Sequence, residues 1–304
     1  MTVTPDVSVI IGTRDRSESL KACLDSIQKA QAEASDVSVE LIVVDNGSTD
    51  DTISVVQKWN ARRGMTARLI SEPRKGLSIA RNSGAAQARG DILVFTDDDC
   101  CLSSDYFRHL ACIYASINRG TLVGGRIELG DERDIPMTIK PDKRPATFKG
   151  IDPGTFVAGC NMTINREAWQ KVGQFDTRLG PGSPLKAAED TDYVYRAYLS
   201  GIPVHYMPDL CVYHFHGRRT LREAQDLMRA YSIGNGALYA KYFRTPYIRQ
   251  LRWNCKNAFW ELFNRAQLDP KLGLTYRGMI WGNMRGMALY WWGIIYERSK
   301  RSTR

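Results

Sequence analysis

The apolar and polar positions of the first hundred residues repeat a single unit. Val7-Ser8-Val9-Ile10-Ile11 is a short β-branched run of the kind that favours extended backbone, and Asp15 with Glu18 three positions later marks a helix continuing to about Lys29. Leu41-Ile42-Val43-Val44 then precedes a turn at Asn46-Gly47-Ser48 and a helix near Thr52 to Trp59. Arg68-Leu69-Ile70 precedes a helix near Leu77 to Ala88, and Asp91-Ile92-Leu93-Val94-Phe95-Thr96 forms a fourth strand. Near-continuous apolar strands alternating with amphipathic helices predict a parallel sheet covered on both faces and wound by right-handed crossovers. The first hundred residues therefore read as half of a doubly wound α/β domain.

The alternation weakens between Gly124 and Gly159, where Asp131 to Lys149 is rich in proline and charge and reads as a long loop or lid. Regular structure is expected to resume at Thr155-Phe156-Val157-Ala158-Gly159. Helices near Arg166–Val172 and Ala188–Leu199 follow, then a strand over Pro203–Phe215. Beyond Leu221 the pattern is helical, aromatic and basic. The expected division is a main α/β domain over 1–216, in two halves meeting at about residue 100, and a C-terminal region over 217–304.

With 304 residues and 43% hydrophobic composition, the chain can bury one large core or a main domain with an appendage, which excludes a wholly disordered chain. The net charge of +9 is carried by the tail: from Gly217 onward there are 17 Lys and Arg against 5 Asp and Glu. Such asymmetry suits an anionic surface or ligand, or a solvated helical face. The seven cysteines include no C-x-x-C pair, and Cys100 and Cys101 are adjacent, so their spacing supports neither a disulfide framework nor a zinc site. A reducing compartment fits. Met1 to Asp6 lack the basic and apolar regions of a secretory signal, and the run Gly286 to Tyr296 is well short of the roughly 20 apolar residues a bilayer span requires. A cytoplasmic location is expected.

In open α/β sheets ligands bind beyond the carboxyl ends of the strands. Three strands here deliver polar groups there: Gly12-Thr13-Arg14-Asp15-Arg16, Asp45-Asn46-Gly47-Ser48-Thr49-Asp50 and Asp97-Asp98-Asp99. Three successive carboxylates repel one another and call for a cation, and Mg²⁺ or Mn²⁺ binds through one or two carboxylates plus phosphate oxygens. The plainer account is an acidic turn capping the helix after Ser104. Neither the G-x-G-x-x-G fingerprint nor a P-loop lysine motif is present. That leaves a nucleotide diphosphate held by a metal, with Arg14, Arg16, Lys75 or Arg81 for the phosphates.

Val9-Ile10-Ile11-Gly12-Thr13-Arg14-Asp15-Arg16, Val43-Val44-Asp45-Asn46-Gly47-Ser48-Thr49-Asp50, Gly76-Leu77-Ser78-Ile79-Ala80-Arg81-Asn82 and Phe95-Thr96-Asp97-Asp98-Asp99 together resemble the family 2 inverting glycosyltransferases of GT-A fold. Gly159-Cys160-Asn161-Met162 and Glu189-Asp190-Thr191-Asp192 extend the resemblance, which runs from Val7 to about His216. It implies a GT-A type doubly wound, mostly parallel sheet with a helical C-terminal extension. It also implies that Thr13, Arg16 and Asp45 contact the nucleoside, with Asp97 and Asp98 at the donor. Asp97 would lie near the ribose or metal, Asp99 would be the principal metal ligand, and His214 or His216 would add a diphosphate or metal contact. Asp190 would be the general base, with Glu189 as alternative. The family's membrane-embedded synthases carry Gln-x-x-Arg-Trp and flanking spans; Gln250-Leu251-Arg252-Trp253 is only a shortened echo of it.

The implied reaction is sugar transfer from a nucleotide-diphosphate sugar, a UDP-sugar above all, to a hydroxyl of a saccharide or lipid-linked acceptor, in polysaccharide or glycoconjugate synthesis. Two rivals stand beside it. A sugar nucleotidyltransferase would want a glycine-rich loop followed by Arg and Lys. A non-catalytic basic protein binding membrane or nucleic acid would use the tail, though no nucleic-acid module accompanies it. Met279, Met287, Tyr290, Trp291, Ile294 and Ile295 can gather on one helix side beside Arg285, Arg298, Lys300 and Arg301. That arrangement suits either an anionic bilayer or packing on the catalytic domain or a second subunit.

Overall fold

The computed structural model describes residues 5–62, 64–117, 120–247, 249, 256–257, 259, 261, 267–269 and 271–302. Gln250 to Trp253 therefore lie outside the described residues. The chain divides into two compact units, 1–177 with 190–217, and 178–189 with 218–304.

The first unit begins with the expected alternation: β1 (Val7–Thr13), α1 (Ser17–Ala32), β2 (Val39–Asp45), α2 (Thr52–Asn60), β3 (Ala67–Ser71), α3 (Leu77–Gln87) and β4 (Ile92–Asp97). Strands β3, β2, β1 and β4 lie side by side in parallel, with Gly12 opposite both Val44 and Asp97. Apolar side chains cover both faces: Val9, Ile10, Ile11, Leu41, Ile42, Val43 and Val44 are buried, as the near-continuous runs require. Helix α3 closes on this sheet through Gly84, where an added Cβ would stand 2.5 Å from Ile10 Cγ2. Its first turn follows Gly76, whose φ of +143° lies in the region that favours glycine and whose N–H is held by Asn46 Oδ1 at 2.8 Å.

Beyond β4 the sheet becomes mixed. The next elements are β5 (Cys100–Leu102), α4 (Tyr106–Ser116), β6 (Leu122–Leu129), β7 (Ala146–Thr147), β8 (Asn161–Asn165), α5 (Arg166–Val172), α6 (Glu189–Leu199) and β9 (Val204–His214). Among the described residues nine strands form one sheet in the order β3-β2-β1-β4-β8-β6-β9-β5, with β7 on β9. Strand β8 enters antiparallel between β4 and β6, and β5 pairs antiparallel with β9. One sequence expectation is corrected: regular structure does not resume at 155–159, where a 3₁₀ turn over Pro153–Thr155 gives way to irregular backbone, and the strand begins only at Asn161, where pairing to Thr96 starts. The segment 131–149 is the expected long loop, and it is tied down: Lys140 bridges to Ile127, β7 pairs with β9, and Tyr206 Oη donates to the carbonyls of Lys140 and Asp142 at 3.1 and 2.6 Å.

The second unit is built on α7 (Leu221–Lys241) and α8 (Tyr276–Ser302), with a short hairpin of β10 (Gln267–Asp269) and β11 (Leu274–Thr275). A capping box starts α7: Glu223 N–H donates to Thr220 Oγ1 and Thr220 N–H to the Glu223 carboxylate. The two helices approach through glycines. A Cβ on Gly236 or Gly286 would meet backbone of the facing helix at 2.0 or 1.9 Å. Arg178 lies over the Tyr290 ring at 5.0 Å. Met279, Met287, Tyr290 and Ile294 are thereby half-buried, and the exposed apolar stripe of α8 is instead Trp281, Met284, Trp291, Trp292 and Ile295. No described helix is long and apolar enough to cross a membrane.

Candidate functional site

The parallel register delivers Thr13, Asp45 and Asp97 to the carboxyl edge of the sheet, the place where α/β sheets bind ligands. Asp45 is buried, and its carboxylate accepts Ser48 N–H at 3.1 Å, which shapes the turn after β2. Asn46 braces the neighbouring loop: its amide donates to the carbonyls of Glu72 and Arg74 at 2.9 and 2.7 Å, and its carbonyl receives Gly76 N–H. Arg14 Nη1 donates to the Asn46 carbonyl at 3.1 Å. Lys75 is exposed on this loop.

Each of the three successive aspartates has a different partner. Asp97 is bound by Arg81 at 2.7 Å, and Arg81 is only 1% exposed. Asp98 accepts from Thr13 Oγ1 at 2.7 Å. Asp99 faces His214 Nε2 at 3.3 Å and Arg16 at 3.9 Å. Burial, together with the charges of Asp99 and Asp97, pushes the Asp98 carboxyl up to about 7 despite the Thr13 bond. Burial alone would lower the His214 imidazole, but the Asp99 carboxylate bonded to it reverses the balance and raises it to about 9. Two guanidiniums and the His214 imidazole thus stand against the three carboxylates. A set of carboxylate oxygens with one imidazole beside them fits a divalent cation such as Mg²⁺ or Mn²⁺, which Asp99 and His214, flanked by Asp97, could hold.

Asp190 sits in the first turn of α6 and is held by two amides. Gly159 N–H donates to Oδ2 at 3.0 Å and Thr191 N–H to Oδ1 at 2.7 Å. Glu189, one residue earlier, is buried. Gly159 also makes room for Arg81, since a Cβ there would lie 2.6 Å from the guanidinium. The acidic loop and the Asp190 anchor are neighbours in space. Cys100 directly follows Asp99, Cys160 directly follows Gly159, and ligand atoms of Cys100, Cys160 and His214 all lie within 4.8 Å of one another. His216 is separate from Asp99: its Nε2 meets the Ile135 carbonyl at 3.1 Å and its Nδ1 faces Asp134 at 3.7 Å.

The structure thus sets Arg81 on Asp97, Thr13 on Asp98, and His214 with Arg16 on Asp99 along one acidic loop, while Lys75 stays at the surface. Sequence reasoning did not single out Asn46 or Glu72 as braces of the site. Glu72 binds Arg74 at 2.8 Å and accepts from Ser83 at 2.5 Å, contacts that only the fold of the 71–76 loop onto α3 creates. Nor did it single out the Cys100 and Cys160 pair, whose spacing in sequence carries no ligand signature.

Residues 8–173, more than half of the chain, match the model of the family described as Glycosyl transferase family 2. Glycosyltransferase AglE of Haloferax volcanii is 28% identical over 202 residues, covering 62% of this chain and 63% of AglE. Poly(ribitol-phosphate) beta-N-acetylglucosaminyltransferase TarS of Staphylococcus aureus is 23% identical over 224 residues, covering 74% of this chain but 37% of TarS. The chain therefore spans between about a third and two thirds of these relatives. The crystal structure of TarS residues 1–349 with UDP-GlcNAc superposes with a TM-score of 0.55 at 20% identity, over 76% of this chain and 66% of that one. The mannosyltransferase PcManGT of Pyrobaculum calidifontis, in complex with GDP-Man and Mn²⁺, superposes at 0.61 with 18% identity, over 94% of this chain and 74% of that one. At these identities the superpositions establish a shared fold.

Proposed function

Because the chain belongs to the family 2 glycosyltransferases, we propose that it moves a sugar from a nucleotide-diphosphate sugar to a hydroxyl of a saccharide or lipid-linked acceptor, with inversion at the anomeric carbon. The observation that carries this reading is the convergence of a held carboxylate, Asp190, and an acidic loop, Asp97 to Asp99, at the carboxyl edge of the sheet. Thr13, Arg16 and Asp45 would contact the nucleoside, and Arg14, Lys75 and Arg81 would offset the phosphate charge directly or through Asp97. A UDP-sugar is the favoured donor, in line with the UDP-GlcNAc bound by TarS; the GDP-Man bound by PcManGT makes GDP-sugars the first alternative.

The acceptor hydroxyl would attack the anomeric carbon as the bond to the diphosphate breaks, and its proton would pass to Asp190. Two backbone N–H groups fix that carboxylate while leaving lone pairs for the hydroxyl. A divalent cation held by Asp99 and His214 would stabilise the charge that develops on the departing diphosphate. Arg81, locked on Asp97, orients the acidic loop. We also read the basic C-terminal unit as contacting an anionic membrane from the cytoplasmic side, since its exposed stripe on α8 joins three tryptophans to a strongly basic segment.

The test is a panel of nucleotide sugars incubated with the full chain and Mn²⁺ or Mg²⁺. Cation-dependent release of nucleoside diphosphate from one donor, with transfer of an inverted sugar, is the expected outcome. Pyrophosphate production from a sugar phosphate and a nucleoside triphosphate would instead establish a nucleotidyltransferase.

A further inference from the structure

Three buried ligands that the transfer reaction does not require together lie beside the acidic loop. Cys100 opens β5 and stands directly opposite His214 of β9 in an antiparallel ladder, and Cys160 immediately precedes β8. All three residues are buried, and one ligand atom of each lies within 4.8 Å of the other two. We propose that Cys100, Cys160 and His214 form a binding site for a thiophilic divalent cation such as Zn²⁺, one that overlaps the oxygen-rich site assigned to Mg²⁺ or Mn²⁺ at His214 and Asp99. The shared role of His214 rests on the proposed function; the thiol site itself does not.

The geometry is close to what such a cation needs. With bonds of about 2.3 Å to sulfur and about 2.0 Å to nitrogen, a tetrahedral site spaces its ligand atoms roughly 3.5 to 3.8 Å apart, so closing this triad requires movements of about 1 Å. Two sulfurs and an imidazole select zinc over magnesium by their softness. The fourth position has a candidate ligand, since Asp99 Oδ1 lies 3.3 Å from His214 Nε2 and 3.9 Å from Cys100 Sγ. Thr138 approaches His214 Nδ1 through its hydroxyl and its carbonyl, both at 3.3 Å. Metal-ligating histidines characteristically keep such an outer contact on the ring nitrogen that does not bind the metal. Both cysteines are free thiols and the imidazole bonded to Asp99 carries a second proton at neutral pH, so three protons pass to solvent for each cation taken up.

Titration of the full chain with Co²⁺ reads the site through sulfur-to-metal charge-transfer absorption and the intense visible bands of tetrahedral cobalt. The expected result is a signal complete at one Co²⁺ per chain. It should survive about a hundredfold excess of Mg²⁺ and persist in Cys112→Ser, whose thiol is exposed. Cys160→Ser should weaken the binding at least about tenfold and lower the charge-transfer intensity per bound Co²⁺, since one sulfur remains. X-ray absorption on the zinc-loaded wild-type chain makes the test independent of how that variant folds. Two sulfurs at about 2.3 Å with nitrogen or oxygen at about 2.0 Å are expected. A shell without sulfur, a shell with three or four sulfurs, displacement by Mg²⁺, or a folded Cys160→Ser that titrates like wild type would overturn the proposal. Neither readout depends on sugar transfer, so failure here is distinguishable from failure of the donor panel.

Discussion

Asp99 is the acidic residue whose partners say most about its use: it meets His214 at 3.3 Å and Arg16 at 3.9 Å while almost buried. An amide at this position keeps the shape but not the charge that a hard cation needs. Asp99→Asn is expected to lower Mn²⁺-dependent affinity for UDP by at least about tenfold, or about 1.4 kcal/mol, as measured by calorimetry with and without the ion. Unchanged affinity would remove Asp99 from the cation site. Asp190 is held by amides on both oxygens, so Asp190→Asn should preserve one of those bonds and leave nucleotide binding near wild type. Turnover should fall by roughly 10² to 10⁴, the usual contribution of a positioned base. A variant with near-wild-type turnover would move the search for the base to Glu189.

At the scale of elements, the loop from β3 to α3 is pinned by Glu72, whose carboxylate takes three bonds from Arg74 and one from Ser83. The Arg74 guanidinium holds this carboxyl at about 2, below its ordinary 4.5, with burial opposing the shift and Ser83 adding to it. A depressed carboxylate contributes stability that is complete above the unfolded value near 4.5 and is lost as pH falls toward 2. Glu72→Gln should therefore melt below wild type at pH 6, and the gap should close steadily between about pH 4.5 and pH 2. A gap constant across that window in thermal melts would show that the glutamate acts without its charge. The alternation that defines β1 through β4 and their helices was legible because strand and helix periods are local properties of the chain. The loop's brace was not, because Glu72, Ser83 and Asn46 meet only when α3 packs on the sheet.

For the whole molecule, the question is what the basic C-terminal segment meets. Its exposed stripe of Trp281, Met284, Trp291, Trp292 and Ile295 differs from the side that helical spacing suggested, because glycine contacts with α7 rotate Met287, Tyr290 and Ile294 inward. Sedimentation with anionic liposomes should carry down the full chain at low salt and much less of it at high salt, with each well-placed basic residue worth on the order of 1 kcal/mol. Trp291→Glu with Trp292→Glu should reduce the low-salt binding by at least about tenfold, since both change the exposed stripe. Equal and negligible sedimentation of wild type and variant would exclude membrane docking.

The sequence alone determined the parallel half of the sheet, the polar groups at its carboxyl edge and the family, since runs of β-branched residues, turn signals and ordered short motifs are written contiguously. It also marked the acidic loop and Asp190 as polar groups to look for beside that edge. Tertiary structure alone decided which charges meet. Arg81 reaches Asp97 because Gly159 leaves space for its guanidinium, and His214 reaches Asp99 because β5 pairs with β9 in one register. The same register, with β8 inserted antiparallel between β4 and β6, brings Cys100 and Cys160 beside His214. Cysteine spacing spoke against a zinc site, and the grouping of Cys100, Cys160 and His214 lies beyond what spacing reports, since spacing registers only side chains carried on one local loop. Strand pairing can join ligands from three distant segments, and that choice is made by packing across the whole sheet rather than by any stretch of the chain.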